Sequence, residues 1–227
     1  MGSKKKPFSN GRSLIAHQSP LSLVAEQYRT LRTNIEFSSI DRELQTLMIT
    51  SSTPGEGKST TASNLAVVFA QQEKKVLIID ADLRKPTMHD TFRIENTVGL
   101  TNVLTKQHQA HDAVKQTQIK NLDILTSGPI PPNPAELLGS KGMRETLGHL
   151  KEQYDYIIID TPPVLAVTDA KILANHCDGI MLVVHSGKTE VTAAKRAKEA
   201  IINANGNMIG AILNGQKQKK HQYYYYR

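Results

Sequence analysis

Residues 51–60, SSTPGEGKST, decide the fold that this sequence predicts. The run TLMIT before them is short, apolar and rich in β-branched residues, as in a buried strand, and TTASNLAVVFAQQ after them has helical spacing. Gly55 and Gly57 are therefore expected at a strand-to-helix turn, where glycine lets backbone N–H groups surround an anion. Because the following helix directs its positive end to the same point, the stretch predicts a phosphate-binding loop.

The side chains of this loop suit a bound nucleotide. Lys58 can span the β- and γ-phosphates, and the Ser59 hydroxyl can ligate Mg²⁺. The residues that we expect to bind the nucleotide here are Gly55, Glu56, Gly57, Lys58, Ser59 and Thr60. Because Ser52 occupies the first glycine position of the generic pattern, the loop by itself is a moderate match, and a glycine-rich turn that caps a helix by chance is the alternative.

Length and composition indicate one soluble α/β domain. The 227 residues, 39% of them hydrophobic, suffice for a single core. Cys177 is the single cysteine, and the N-terminus has no apolar signal region. No apolar run approaches the roughly 18 to 20 residues that cross a bilayer. We therefore expect a cytoplasmic protein.

The net charge of +7 is concentrated at the two ends of the chain. Residues 1–12 and 216–227 hold eight basic residues and no acidic one, and setting these aside from the 28 basic residues leaves 20 against 21 acidic ones. This distribution argues against a nucleic-acid-binding face. Basic ends suit an anionic membrane surface or an acidic partner, and solvated ends without a partner are the alternative.

Three segments are expected along the chain. Residues 1–20 lack periodicity and predict a flexible basic segment, residues 21–215 the folded domain, and residues 216–227 a flexible tail. Order is expected from Ser22, a candidate N-cap for a helix of about 15 residues within 21–38. The apolar stripe of that helix is Val24, Tyr28, Leu31 and Ile35.

Charged residues lie on another side of this helix. An exposed side of the helix contains Glu26, Arg29 and Arg32, whose spacing of three residues rotates each position slightly around the helix axis. From this side arginine can offer bidentate contacts to carboxylates of another subunit. An intrahelical Glu26–Arg29 pair, worth a few tenths of a kcal/mol, is the alternative. The residues alone leave both interpretations open.

Two further apolar strands end in acids. The strand at residues 76–79 leads to Asp80 and Asp82, and YIII at residues 156–159 leads to Asp160. In an open parallel sheet, ligands collect beyond the carboxyl ends of the strands, so these carboxylates are expected near Lys58 and Ser59, where Asp160 can help to hold Mg²⁺. The alternative is that the first two acids cap the following turn and pair with Arg84 and Lys85.

The rest of the chain alternates predicted strands and helices. This order demands right-handed crossovers and predicts a mostly parallel sheet with helices on both faces. Asn133, Pro134 and Glu136 have the spacing of N-cap, first and third residues of one helix. Asn214 ends the last predicted strand, where its amide can read an adenine edge or form a turn with Gly215.

The tail contains four of the seven tyrosines of the chain, at positions Tyr223, Tyr224, Tyr225 and Tyr226. Clustered phenols outside any apolar pattern indicate a sticky interaction tail or a set of phosphoacceptors. The nucleotide site favours the second interpretation. Four phosphates would add roughly −6 to −8 charges and reverse the sign of this basic tail.

Five motifs together resemble the bacterial tyrosine kinases (BY-kinases), P-loop enzymes with a deviant Walker motif that control capsule and exopolysaccharide synthesis. They are TPGEGKST, VLIIDADLRKP, which is similar to the Walker A′ motif of the family, YIIIDTPP as Walker B, EQYRTLR as its ExxRxxR oligomerisation motif, and the tyrosine cluster. The resemblance covers nearly the whole chain.

The resemblance implies ATP and Mg²⁺ as cofactors. It implies Lys58 on the phosphates, Ser59 and Asp82 at the metal with Asp160 near it, and Asp80 as base or orienting group for the incoming phenol. For Glu26, Arg29 and Arg32 it implies a ring-shaped homo-oligomer in which subunits phosphorylate neighbouring tails. It also implies a separate membrane adaptor whose cytosolic segment activates the kinase and recruits it to the membrane, and a cognate tyrosine phosphatase.

The main rival is a partitioning or division-site-selection ATPase of the same fold. Those ATPases resemble KGGxGKT, with a second lysine five residues before the P-loop lysine, and this chain has Thr53 there. A third reading, a nucleotide-binding scaffold for polysaccharide export, predicts no phosphate transfer and gives Asp80 and Asp82 little reason to accompany Lys58.

Overall fold

The computed structural model describes residues 13–38 and 44–216, so the tyrosine cluster and residues 1–12 lie outside the described residues. Its strands are β1 Thr46–Ser51, β2 Val76–Asp80, β3 Lys115–Gln116, β4 Leu122–Leu125, β5 Tyr156–Asp160, β6 Gly179–His185 and β7 Met208–Asn214. Its helices are α1 Ile15–Gln18, α2 Leu23–Phe37, α3 Lys58–Ala70, α4 Met88–Phe92, α5 Leu100–Leu104, α6 Ala110–Ala113, α7 Pro134–Leu138, α8 Lys141–Lys151, α9 Asp169–Ala174 and α10 Val191–Asn203.

The strands form one sheet of seven in the order β3-β4-β2-β5-β1-β6-β7. Neighbouring strands are parallel, except that β3 pairs with β4 in the antiparallel direction. The mostly parallel α/β fold predicted from the alternation of elements is thus confirmed. The short edge strand β3 was not predicted, because two residues carry no periodic signal.

Helices cover both faces of the sheet, as expected. In β5 the side chain of Ile158 faces a core formed with α1, α2 and α3, whereas Ile157 and Ile159 face a core formed with α5, α8, α9 and α10. All three isoleucines have no exposed surface. This is why the strand reads as a continuous apolar run rather than as an alternating one.

The expectation that order begins near Ser22 is wrong. Helix α1 precedes it, and Ala16 is fully buried within that helix. The backbone N–H of Ala16 donates to Asn64 Oδ1 at 2.9 Å, and Asn64 Nδ2 donates to the carbonyl oxygen of Ser13 at 2.9 Å. A buried amide of the P-loop helix thus orders this segment, an interaction that the local sequence does not reveal.

Helix α2 follows the prediction closely. The Ser22 side chain accepts a hydrogen bond from the backbone N–H of Ala25, so the N-cap is confirmed, and the helix has 15 residues. One member of the predicted stripe is wrong, because Val24 is 43% exposed while Ala25 is fully buried in its place. The stripe is rotated by one residue at its start.

The predicted start of α7 is confirmed in position and differs in contact. Pro134 is the first helical residue, but the Asn133 side chain makes no capping bond. Its Nδ2 instead donates to Glu136 Oε2 at 2.7 Å.

Across residues 13–38 and 44–216, no helix has both the length and the hydropathy that a membrane span requires.

Candidate functional site

The site lies at the carboxyl edge of the sheet, where three neighbouring strands end. The phosphate loop follows β1, which pairs with β5, and β5 pairs with β2. In these ladders Asp160 lies opposite Ile49 on one side and opposite Asp80 on the other. The expected convergence of the loop with the two strand-terminal acids is therefore present.

The loop has the backbone that an anion cradle needs. Gly55 and Gly57 have φ values of 79° and 93°, which only glycine adopts without strain. Helix α3 begins directly at Lys58, and no side chain caps its first N–H groups. These donors and the positive end of a 13-residue helix are thus directed at the hollow of the loop.

Glu56 anchors the loop through its side chain. The residue is 1% exposed, and its carboxylate accepts hydrogen bonds from the Thr53 N–H and from the hydroxyls of Thr53 and Thr189. A carboxylate engaged in this way does not point at a phosphate, so any contribution of Glu56 to nucleotide binding comes from its backbone.

The Asn214 side chain forms a turn with Gly215, one of the two alternatives for its amide, rather than lying free to read an adenine edge. Its Nδ2 donates to the Glu56 carbonyl oxygen at 2.9 Å, and its Oδ1 accepts the Gly215 N–H at 2.9 Å. A Cβ atom on Gly57 would lie 2.0 Å from this Nδ2. The amide thus supports the phosphate loop from β7, and glycine at position 57 is required by close approach as well as by φ.

Lys58 lies between two carboxylates and a hydroxyl. Its Nζ is 3.1 Å from Asp82 Oδ2, 3.3 Å from Asp160 Oδ2 and 3.0 Å from Ser59 Oγ. Burial alone would lower the pKa of Lys58, but the charges of Asp160 and Asp82 raise it overall. The ammonium is therefore held charged at the base of the loop.

Asp80 and Asp160 are both fully buried. Burial and the neighbouring Asp160 charge raise the pKa of Asp80 to about 7, although N–H groups of Met88 and Thr87 and the charge of Lys58 oppose the shift. Burial likewise raises the pKa of Asp160 against the effect of Lys58. Asp82 and Asp160 contact Lys58, and the charge of Asp80 acts on the same lysine, so the cluster has room for a further positive charge.

The Asp80 carboxylate accepts backbone hydrogen bonds from the loop that follows β2 and from the start of α4. Its Oδ1 accepts the N–H of Asp82 at 3.2 Å, and its Oδ2 accepts those of Thr87 and Met88, both at 2.9 Å. With no exposed surface, this carboxylate does not meet an incoming phenol in the conformation described. The turn-capping alternative for Asp80 is thus the arrangement present here.

The same alternative also paired Asp80 and Asp82 with Arg84 and Lys85, and this part is only partly present. Asp82 Oδ1 accepts the backbone N–H of Lys85 at 3.1 Å, but Arg84 pairs with neither acid of its own loop. Its Nε and Nη2 donate to the two oxygens of Asp169, at 2.9 and 3.0 Å. The pairing of Arg84 in that alternative is not present, because its partner lies 85 residues further along the chain.

The donors at this edge fit a magnesium ion. Ser59 Oγ and the carboxylates of Asp82 and Asp160 all lie around Lys58 Nζ and offer the hard oxygen ligands that Mg²⁺ prefers. The part of the chain that the structure describes has no group of three His, Cys, Asp or Glu side chains arranged as a metal site by themselves. Mg²⁺ in nucleotide sites takes one or two protein ligands and completes its shell with phosphates and water, so the donor set is sufficient.

On α2, the three charged residues expected at a subunit interface make contacts within the chain. Arg29 Nε lies 2.7 Å from Glu26 Oε2, the intrahelical pair that we considered, and its Nη2 donates to the Pro20 carbonyl oxygen. Arg32 Nη1 donates to the Val68 carbonyl oxygen near the end of α3, at 2.7 Å. Glu26 is the most exposed of these ion-pairing groups, with 64% of its side chain accessible.

Sequence reasoning missed residues of the turn between β6 and α10. Thr189 bonds Glu56, and Lys188 Nζ lies 3.2 Å from the Gly55 carbonyl oxygen, so a second lysine reaches the outside of the phosphate loop. It also missed Asp169. No local pattern marks these residues, because each acts on a partner 85 or 133 positions away.

Comparison with known proteins agrees with this geometry. Residues 44–205 match a family described as an AAA domain. The chain is 60% identical to tyrosine-protein kinase YwqD of Bacillus subtilis over 95% of this chain and 91% of that protein. It is 42% identical to tyrosine-protein kinase CpsD of Streptococcus agalactiae serotype III over 83% of this chain and 81% of that protein.

Solved structures give the same picture. The chimerical protein CapA2B2 superposes with a TM-score of 0.88 at 41% identity, covering 92% of each chain. MinD of Pyrococcus horikoshii, a septum site-determining protein complexed with Mg-ADP, superposes with a TM-score of 0.64 at 26% identity, covering 74% of this chain and 69% of that one. The fold is thus that of the P-loop NTPases, and the match to the kinases is closer than the match to the division ATPase. The chain belongs to the family of bacterial tyrosine-protein kinases.

Proposed function

We propose that this protein is an ATP-dependent tyrosine kinase that phosphorylates its own C-terminal cluster Tyr223–Tyr226, between subunits, and regulates capsule or exopolysaccharide synthesis. The observation that carries the proposal is the position of Lys58, which joins the phosphate loop to Asp82 and Asp160 at distances of 3.1 and 3.3 Å. A loop of this kind, with one acid at the end of β5 and one in the loop after β2, suits phosphoryl transfer. The kinase relatives support tyrosine as the acceptor.

Lys58 has the central role in this proposal. Only 12% of its side chain is exposed, so its ammonium is already in place, and binding ATP requires it to exchange carboxylate contacts for phosphate oxygens. The N–H groups of the loop and of the first turn of α3 hold the phosphate chain. Transfer then depends on positioning and charge stabilisation rather than on covalent chemistry by the protein.

Ser59, Asp82 and Asp160 are the residues that would hold Mg²⁺. When bound, the ion supplies charge neutralisation at the phosphates. Asp82 retains some exposed surface, at 9% of its side chain, whereas Asp160 has none. In place of the two roles toward the phenol that the family resemblance implied, we propose that Asp80 orients Asp82, because its hydrogen bonds fix the backbone that carries that residue.

A homo-oligomer is part of the proposal. Glu26 is exposed next to Arg29, so it can exchange its own helical partner for an arginine of a neighbouring subunit at small cost. Replacing Glu26 and Arg29 with Ala is expected to lower the mass in solution measured by light scattering, with Lys141→Ala, which removes an exposed ion pair on α8, as control. An unchanged mass would remove the assembly role of these residues.

A membrane adaptor is the second partner that we propose, with peripheral recruitment of the cytoplasmic kinase to the inner membrane face. The groove beside α10 and the edge strand β7 is apolar, and its exposed Val191 and Leu213 lie near the turn that contacts the phosphate loop. The CapA2B2 chimera, which matches this chain, makes a segment of a separate protein a reasonable occupant. Val191→Asp should abolish stimulation by the cytosolic segment of the adaptor and leave basal activity unchanged. Equal stimulation of variant and wild type would exclude this groove. A cognate tyrosine phosphatase would complete the cycle.

The experiment that tests the proposed reaction is incubation of the full chain with Mg-ATP, with and without the adaptor segment, followed by mass spectrometry of the tail. We expect phosphate on residues within 223–226. ATP hydrolysis without phosphotyrosine would favour the division-type ATPase, and nucleotide binding without either reaction would favour the scaffold.

A further inference from the structure

The loop between β2 and α4 carries Asp82 and is held on several sides. Backbone N–H groups of Thr87 and Met88 bind Asp80, and the N–H of Ala81 donates to the Asp160 carbonyl oxygen at 2.9 Å. These contacts secure the two ends of the loop. The side chain of Arg84 secures its middle, because it reaches out of the loop to another element of the fold.

That other element is the first residue of α9. Asp169 is fully buried, and both of its oxygens bind Arg84 in a bidentate pair. Ala170 and Leu173 of the same helix have no exposed surface, so the carboxylate is attached to a rigid part of the core. Bidentate geometry fixes the plane of the guanidinium as well as its position.

Asp160 ends β5 and Asp82 lies in the loop after β2, and both must lie within reach of Lys58. The Arg84–Asp169 pair connects the loop after β2, which carries Asp82, to the helix that follows β5, the strand that ends in Asp160. A shift of the loop middle would move Asp82 while leaving the phosphate loop in place. The pair is therefore situated to set the separation of the two acids around the lysine.

A role in stability alone explains this pair poorly. Burying a carboxylate costs several kcal/mol before its partner compensates, and well-packed apolar residues are often as stabilising as a buried ion pair. Here one partner is buried and the other is 40% exposed beside the site. Precise orientation is what this arrangement provides and an apolar contact would not.

We infer that Asp169 is a positioning residue for phosphoryl transfer, which acts by holding Arg84 and, through it, the loop that presents Asp82. The inference rests on the proposed kinase activity and deepens it. Because the phosphate loop is untouched, losing the pair lowers kcat and leaves ATP affinity nearly unchanged.

The test compares Asp169→Asn, Arg84→Lys and the double variant with wild type. Since Arg84 is partly exposed, Arg84→Lys keeps the charge and the fold while losing the bidentate geometry. We expect kcat for tail phosphorylation to fall about 10- to 100-fold in each single variant, as when residues that orient site ligands are removed. The KM for ATP and the affinity for fluorescent ADP should change less than about 3-fold, and the double variant should be no worse than the poorer single one.

Lys151→Ala is the matched control, because Lys151 pairs with Asp178 at 3.1 Å, away from the phosphate loop. Its kcat should equal that of wild type. Wild-type kcat in Arg84→Lys, or a loss that only follows the unfolded fraction measured by circular dichroism, overturns the inference and leaves the kinase proposal intact. A wild type that forms no phosphotyrosine overturns both.

Discussion

The two edges of the sheet hold their carboxylates in opposite ways. At the amino edge, Asp178 is partly buried, yet hydrogen bonds from Thr46 and Lys151 outweigh the effect of burial and lower its pKa. At the carboxyl edge, burial raises the pKa of both Asp80 and Asp160 despite the nearby Lys58, and the charge of Asp160 adds to the first shift as that of Asp82 adds to the second. At the amino edge the negative charge is stabilised within the chain, whereas at the carboxyl edge it is disfavoured and a further cation would stabilise it.

This difference in pKa distinguishes a carboxylate that stabilises the fold from carboxylates that suit a binding site. A carboxylate with a full set of donors stabilises the fold and needs nothing else. Two acids that share one lysine, with the charge of Asp80 acting on the same group, are stabilised by a further cation, which is what the metal ion of a bound nucleotide brings. The carboxyl edge therefore has the electrostatics of a site, and the amino edge has those of a scaffold.

The largest effect is expected from removing the lysine that the acids share. Lys58→Ala should lower the rate of phosphotyrosine formation by about 10²- to 10³-fold, because the charge that stabilises the transferred phosphate is lost. Radiolabel transfer from ATP measures this rate. Lys151→Ala makes the equivalent change at the amino edge and should retain full activity. Loss of activity in both variants would remove the distinction between the edges.

The pH dependence of stability is the next test. A folded-state pKa raised from 3.8 to about 7 means that the contribution of Asp80 is fully present below 3.8 and is lost as pH rises toward 7. The slope can reach about 1.4 kcal/mol per pH unit. Asp80→Asn should remove that slope, as measured by urea unfolding without nucleotide.

Asp160 shifts in the same direction as Asp80, and the pKa of His176 is lowered by burial and Arg144, so the wild-type profile contains other groups. The difference between Asp80→Asn and wild type isolates Asp80. A difference that does not vary with pH in this range would show that Asp80 titrates normally, and the contrast between the edges would then rest on Asp160 alone.

Removing the fully hydrogen-bonded carboxylate of Asp178 should have a moderate effect on stability and none on activity. Asp178→Asn loses an acceptor for the N–H and hydroxyl of Thr46 and for Lys151, and we expect the free energy of unfolding to fall by about 1–3 kcal/mol. Kinase activity per folded molecule should be unchanged. A loss of activity greater than the loss of folded protein would mean that the amino edge communicates with the site.

The smallest effect concerns Asn214. Because its amide is bonded to Glu56 and Gly215, Asn214→Ala should cost about 1 kcal/mol of stability and weaken ATP and GTP binding by the same factor. Fluorescence titration with both nucleotides measures the ratio. Weaker ATP binding with unchanged GTP binding would show instead that the amide reads the adenine edge.

Local patterns made most of the fold predictable. A strand that ends in a glycine-rich loop and a helix, and two more apolar strands that end in acids, each fit within about 15 consecutive residues. Parallel strands place their carboxyl ends together, so the meeting of Lys58 with Asp82 and Asp160 followed from the order of the elements. These acids needed no tertiary information to be found.

The contacts that tune the site were not predictable in this way. The alternative that we gave for Arg84 paired it with acids of its own loop, but it binds Asp169, and the predicted irregular N-terminal segment is ordered by Asn64. Each of these contacts joins residues 48 or more positions apart, and many polar residues could have supplied the partner. Periodicity reports which face of an element is apolar, but it does not report which distant polar groups meet.

The most direct test of the central claim is a mixing experiment. A Lys58→Ala chain is combined with a chain whose residues 223–226 are all Phe, Mg-ATP is added, and mass spectrometry measures phosphate on the tail of the Lys58→Ala chain. Our account predicts phosphotyrosine on that tail in the mixture and none when either variant is incubated alone. If wild type labels its own tail but the mixture of the two variants forms no phosphotyrosine, transfer from the Lys58 site of one subunit to the tyrosines of another is contradicted.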